Sequence, residues 1–157
     1  MIIEKIISGG QTGVDIAAID ASIANGKNYG GWLPKGRKTE NGPLDVRYSG
    51  FQELSSGSYP KRTEQNVKDS DATIIITRGK LKGGSKLTAD LAESWGKPYL
   101  HVDLNLTDKE QIIIAIEDWI IEKRVKILNV AGTRASKDGE IYNDVFYIFE
   151  KLFQKTN

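Results

Sequence analysis

The residues best suited to chemistry lie in the run S-G-G-Q-T-G at positions 8–13. Gly9, Gly10 and Gly13 let backbone amides come close to a ligand and permit positive φ. A helix beginning just after them would present unpaired N–H groups and a partial positive charge at its mouth. Together these suit a phosphate or another anion. Thr12 could cap that helix or donate to a phosphate oxygen. Gln11 carries a carboxamide able to reach the edge of a base, sugar or pterin. Asp15, in the first helical turn, either complements the helix dipole or holds a ribose hydroxyl or a phosphate-bound Mg²⁺. The run is neither the G-x-G-x-x-G dinucleotide fingerprint nor the Lys-containing P-loop. A tight strand–helix turn without a ligand therefore stays open.

Two further loops share this chemistry. Residues 78–86 read R-G-K-L-K-G-G-S-K. Arg78 brings charge, and Gly83, Gly84 and Ser85 precede a helix expected near Lys86, which would make a second anion site of the same kind. Residues 131–134 read A-G-T-R, so Gly132 and Thr133 lead to Arg134, which can grip a phosphate or carboxylate with two prongs. Lys35 and Arg37 add charge in the run P-K-G-R. Trp32 just before it either stacks on a flat ligand ring or fills the core. Arg62 and Asn66 are one helical turn apart and share a face, toward a crevice or toward water.

Other chemistries have little footing. There are no cysteines, so disulfides and thiolate metal sites are excluded. His101 is the sole histidine and sits within an expected strand, a poor metal ligand by itself. No metal site is expected, and without a G-x-S-x-G elbow a Ser/His/Asp triad is set aside.

The elements that must position these residues follow from periodicity. Ile2, Ile3, Ile6 and Ile7 form a β-branched run that stops at the glycine loop, as a buried strand does. Val14, Ala17, Ala18 and Ala21 then recur at helical spacing, with Gly26 as a stop. A strand is expected over 29–33, and 34–60 reads as a long irregular connection of the kind that is often functional. A helix over 62–70 leads to a strand over 72–77, whose three consecutive isoleucines imply burial on both faces. Leu87, Leu91 and Trp95 suggest a helical stripe. A strand over 99–102 and a helix over 108–123 follow, the helix carrying Ile112, Ile116, Trp119 and Ile120 on its apolar face. A strand over 126–130, a loop over 131–137 and a helix over 141–153 complete the chain. Alternating strands and helices imply an α/β fold: a mostly parallel sheet with helices on both faces, in three layers. Such sheets bind ligands beyond the carboxyl ends of their strands, where the glycine and basic loops should meet.

At 157 residues the chain has the size of one domain over 1–157. A net charge of +1 lacks the basic excess of a nonspecific nucleic-acid binder. Residues 1–7 are too short an apolar run for a signal peptide or a membrane span. A cytoplasmic protein with a phosphorylated small-molecule partner, no nucleic-acid or membrane partner, and scope for homo-oligomers is expected.

Several motifs together resemble the putative molybdenum carrier family, a branch of the Rossmann-like superfamily that includes Lonely Guy-type phosphoribohydrolases. They are GGQTGVDIAAIDA at 9–21, GGWLPKGRKTENGPL at 30–44, RTEQNVKDSDATIII at 62–76, GGSKLTADLAESWGKPYLHVDL at 83–104 and LNVAGTRAS at 128–136. The resemblance implies a Rossmann-like fold that holds molybdenum cofactor (molybdopterin), or a related phosphorylated pterin or nucleotide, without transforming it. The hydrolases carry G-G-x-G-T-x-x-E, in which the Glu assists glycosidic cleavage. Aligned on Gly83 and Gly84, this chain has Lys86 and Leu87 for Gly and Thr, and Asp90 for Glu. A carboxylate one methylene shorter is poorly placed for that step. Asp90 is thus the one catalytic candidate, for a phosphoribohydrolase acting on a nucleoside 5′-monophosphate. A nucleotide-sensing module is a further alternative.

Overall fold

A computed structural model describes residues 3–155; Ile2, counted in the first strand by its sequence, lies outside them. The described residues form eight strands and five helices, which alternate except where β2 to β5 follow one another. Six strands form one sheet: β1 (Lys5–Ile7), β2 (Asn28–Leu33), β5 (Phe51–Glu53), β6 (Ala72–Thr77), β7 (Tyr99–Asp103) and β8 (Ile127–Gly132). They lie in the order β5-β2-β1-β8-β6-β7, and every pairing is parallel. β6 is buried along its whole length, as its isoleucine run requires when helices cover both faces.

Helices α1 (Val14–Ala24), α4 (Lys109–Lys123) and α5 (Ile141–Gln154) pack together on one side of the sheet. α2 (Tyr59–Asp69) and α3 (Gly83–Ser94) cover the other. The α1–α5 seam follows from residue size. Ala17, Ala18 and Ala21 present a flat, fully buried face, and Val145, Ile148, Phe149 and Leu152 of α5 are buried with them in the core. Interdigitating large with small side chains lets helices approach closely at high packing density. α2 is started by Ser58, whose hydroxyl accepts from the Lys61 N–H at 3.2 Å, and α4 by Asp108, which accepts from the Gln111 N–H at 2.9 Å. Each such cap satisfies one orphan amide.

The structure departs from the sequence reading in five places. The connection over 34–60 is not mostly irregular. It holds a small hairpin, β3 (Lys38–Thr39) with β4 (Gly42–Pro43), and β5, which extends the main sheet beside β2. Both pairings are too short to show in residue periodicity. α2 begins three residues earlier than expected, at Tyr59. α3 begins at Gly83, not near Lys86. Its buried face is Thr88, Ala89 and Ala92, while Leu87 and Leu91 are half-buried and Trp95 is exposed. Small residues, not the large apolar stripe, face the sheet. Finally, β8 continues through Ala131 and Gly132, which brings those residues to the strand end itself.

No helix among the described residues is long and apolar enough to cross a membrane.

Candidate functional site

The topology opens a crevice at one place. From β1 the chain moves toward β2, and from β6 it moves the opposite way toward β7; β8 lies between β1 and β6. Loops leaving β1 and β6 therefore part above the carboxyl end of β8, the switch point at which such sheets bind ligands. A cleft of about 1020 Å³ lies there. It is lined from β1 and its loop by Gly9, Gln11 and Asp15, and from β8 and its loop by Asn129, Gly132, Thr133 and Arg134. α2 adds Tyr59, Arg62 and Asn66; β6 and the turn after it add Thr77, Arg78, Lys80 and Lys82; α3 adds Gly83, Gly84 and Ser85.

The glycine loop is shaped by steric necessity. Gly13 has φ +82°, and a Cβ there would fall 2.4 Å from the Thr133 carbonyl oxygen, so the loops after β1 and β8 touch backbone to backbone. At Gly9 a Cβ would meet the Arg62 guanidinium at 2.5 Å. That arginine is buried and donates from Nη1 to the Gly9 carbonyl at 2.6 Å.

Most amides of this loop are already used. Gly10 N–H donates to Ser8 Oγ at 3.2 Å, Gln11 N–H to Asp15 Oδ2 at 3.2 Å, and Thr12 N–H to Gln11 Oε1 at 3.0 Å. Val14 N–H donates to the Thr133 carbonyl at 3.1 Å. The Asp15 carboxylate thus takes up donors that an anion would need. It is 6% exposed. Burial pushes its pKa up to about 6, against the attraction of Arg62 and hydrogen bonds from the Gln11 and Gly9 amides. Burial in turn works to lower the pKa of Arg62, while Asp15 and Tyr59 oppose that shift. A buried carboxylate of raised pKa that lines a cleft marks Asp15 as a candidate site residue, although buried ion pairs within a framework shift pKa values in the same way.

The start of α3 is different. Gly83 and Gly84 are exposed, and no atom lies within 4 Å of where a Cβ would stand on either. Their amides have no acceptor among the described residues. Ser85 Oγ accepts from Lys82 N–H at 3.1 Å and donates to the Lys82 carbonyl at 2.8 Å. Its hydroxyl therefore secures the turn and leaves the two glycine amides free. Lys80 and Lys82 stand on the same rim. This cradle is more accessible than the glycine loop over 8–13.

Some sequence candidates serve the framework instead. Asn66 accepts from Trp32 N–H at 2.8 Å and donates to the Trp32 carbonyl at 3.1 Å, fixing α2 to β2 from within the cleft wall. Trp32 itself lies outside the cleft lining, and its indole donates to Asp69 at 2.7 Å. Arg37 also lies outside; its guanidinium donates to the carbonyls of Leu44, Asp45 and Tyr48 and folds the segment over 37–48. Lys35 is exposed and does not line the cleft. Arg78 lines it but is held by Asp138 at 2.7 Å and Asp144 at 2.6 Å. Gly10, Thr12 and Gly13 shape the loop behind the lining. Asp90 is 54% exposed on the outside of α3, paired with Lys86 at 2.5 Å, and is absent from the cleft lining. His101 Nε2 meets Thr77 Oγ1 at 2.7 Å, and Thr77 donates on to the Gly79 carbonyl. The lone histidine thus steadies the turn that carries Lys80 and Lys82.

Sequence reasoning missed Glu40, Tyr59 and Asn129. Glu40 lies on the hairpin turn and donates its N–H to Gln11 Oε1 at 2.9 Å. Tyr59 places its ring 5.2 Å beneath the Arg62 guanidinium. The long connection over 34–60 was itself the signal for the first, but nothing in spacing pairs residue 40 with residues 11 and 12. Among the described residues, no three His, Cys, Asp or Glu side chains gather as a metal site would require.

Comparison with known proteins agrees with this architecture. The family model described as the circularly permutated YpsA SLOG family matches residues 6–153. A crystal structure of a putative molybdenum carrier protein from Syntrophus aciditrophicus SB is 48% identical. It covers 96% of this chain and 94% of its own, with a TM-score of 0.92. The comparison with curated proteins finds no match.

Proposed function

This chain belongs to the circularly permuted YpsA SLOG family, and from that premise we propose that it is a cytoplasmic binding protein for molybdenum cofactor or a related phosphorylated pterin or nucleotide. It holds the ligand in the cleft over β8 and does not transform it. The name of the similar Syntrophus protein supports the molybdenum link. The cleft, at about 1020 Å³, is at the upper end of the range of small-molecule sites.

The observation that carries the reading is the open start of α3. The phosphate rests on the Gly83 and Gly84 amides, with Lys82 and Lys80 neutralising it. The rest of the ligand extends toward Gln11, whose amide nitrogen has no hydrogen-bond partner among the described residues. With no cysteine in the chain, thiolate ligation of the metal is excluded, and the phosphate and ring are the parts of the cofactor that the cleft residues grip. Bound cofactor would supply a ligated molybdenum centre; these residues bind, orient and shield it. The glycosidase alternative has no comparable support, since its acid candidate Asp90 is paired with Lys86 on the outer surface.

Calorimetry with cofactor, a phosphate-free analogue and common nucleoside monophosphates tests this. Phosphate-bearing ligands should bind, the phosphate-free analogue should not, and Lys82→Ala should weaken binding by roughly three- to tenfold with a shallower salt dependence. Equal, weak binding of every compound would overturn the reading.

A further inference from the structure

The Glu40 side chain reaches from the tip of the hairpin into a ring of donors built by two other loops. Its carboxylate accepts from the Thr12 hydroxyl, from the Ser136 N–H at 3.1 Å and from the Ser136 hydroxyl, with Arg134 Nε 3.7 Å away. Thr12 also accepts from the Ala135 N–H at 3.1 Å, which fixes its hydroxyl toward Glu40. Burial opposes the charge on Glu40, but the bonds from Ser136 and Thr12 and the field of Arg134 outweigh it and hold the carboxyl below its usual range. Two hydroxyls, a main-chain amide and a guanidinium converging on one carboxylate make the donor set of an oxyanion site.

We propose that Thr12, Arg134 and Ser136 form a second oxyanion subsite at the edge of the cleft, for a phosphate or similar tetrahedral oxyanion, and that Glu40 fills it as a tethered competitor. Arg134 connects the two places, because it lines the cleft while facing Glu40. The hairpin does not depend on the carboxylate to stay in place. Thr39 Oγ1 donates to the Gly42 carbonyl at 2.6 Å, Glu40 N–H stays on Gln11, and Arg37 staples the segment that follows. The side chain can swing out with the backbone unmoved, exposing donors for an incoming anion. The inference deepens the ligand reading above by giving an anionic ligand a second contact, and it rests on that reading only for the ligand's identity.

The test is inorganic phosphate binding, by calorimetry and ³¹P NMR, to wild type, Glu40→Gln and the double variant E40Q/S136A. Removing the competing charge while keeping an acceptor should tighten phosphate binding at least about tenfold, and loss of the Ser136 hydroxyl should cancel most of that gain. If E40Q does not fold, Glu40→Ala, which removes both the charge and the tethered acceptor, should show a gain in the same direction. Unchanged or weaker phosphate binding in the folded variant would overturn the proposal and leave Glu40 a strut. The two readings fail separately. Phosphate uptake by E40Q without any cofactor or nucleotide binding by wild type refutes the carrier; nucleotide binding by wild type with no gain in E40Q refutes the competitor.

Discussion

Asp15 offers the sharpest check on the electrostatics of the cleft, through Asp15→Asn. In the fold, burial raises its pKa from 3.8 to about 6 despite Arg62. Above that pH the carboxylate is charged in both folded and unfolded chains, and the folded state bears the full cost of keeping the charge buried. Between pH 6 and 4 the folded state takes up a proton that the unfolded chain does not, so stability rises as pH falls through this window. A shift of roughly two units corresponds to about 3 kcal/mol. Asn is nearly isosteric and keeps an oxygen to accept from the Gln11 amide, but it cannot ionise. Urea denaturation of both proteins from pH 4 to 8 isolates the effect, since the remaining carboxylates cancel in the difference. Wild type minus variant should grow by about 2 kcal/mol from pH 7 to pH 4, nearly all of it below pH 6.5, because the unfolded carboxyl begins to protonate near pH 4 and offsets the rest. A flat difference, or one that falls toward acid, would mean that Arg62 compensates the buried charge in full and that Asp15 is an ordinary ion-pair partner.

Two further outcomes follow from backbone contact and from placement. Gly13→Ala, at φ +82° with its new Cβ 2.4 Å from the Thr133 carbonyl, should cost about 2–4 kcal/mol in urea denaturation; a cost under about 1 kcal/mol would mean that the two loops part easily. Asp90→Ala should leave phosphate and nucleotide affinity unchanged and alter stability by no more than about 0.5 kcal/mol, because its ion pair is exposed. A tenfold loss of affinity on that change would bring the outer face of α3 into the site.

Much of the fold is written in the chain locally. The isoleucine run over 74–76 reads as a strand buried on both faces, and the alanines of α1 fall on one helical face. Glycine and basic residues at strand ends identify a crevice before any fold is seen, because parallel sheets leave their strand-end loops on one edge. What each of those residues does was not legible. Gly9, Gly10 and Gly13 make a tight strand–helix turn by their own conformational freedom, but whether its amides are open depends on Asp15, which folds back onto them. Gly83 and Gly84 look like a cradle of the same kind in sequence and are the open one in space. Arg37 and Arg78 read as free cations, yet each is held by partners 7–66 residues away. Glu40 gave no local sign at all, since its partners lie 28 and 96 residues distant. Sequence alone determined where an anion site could form, because backbone conformation and strand direction are short-range properties. Only the tertiary structure decided which donors remain unspent, because hydrogen bonds and ion pairs saturate, and which acceptor reaches a donor first is a matter of distance in the folded chain.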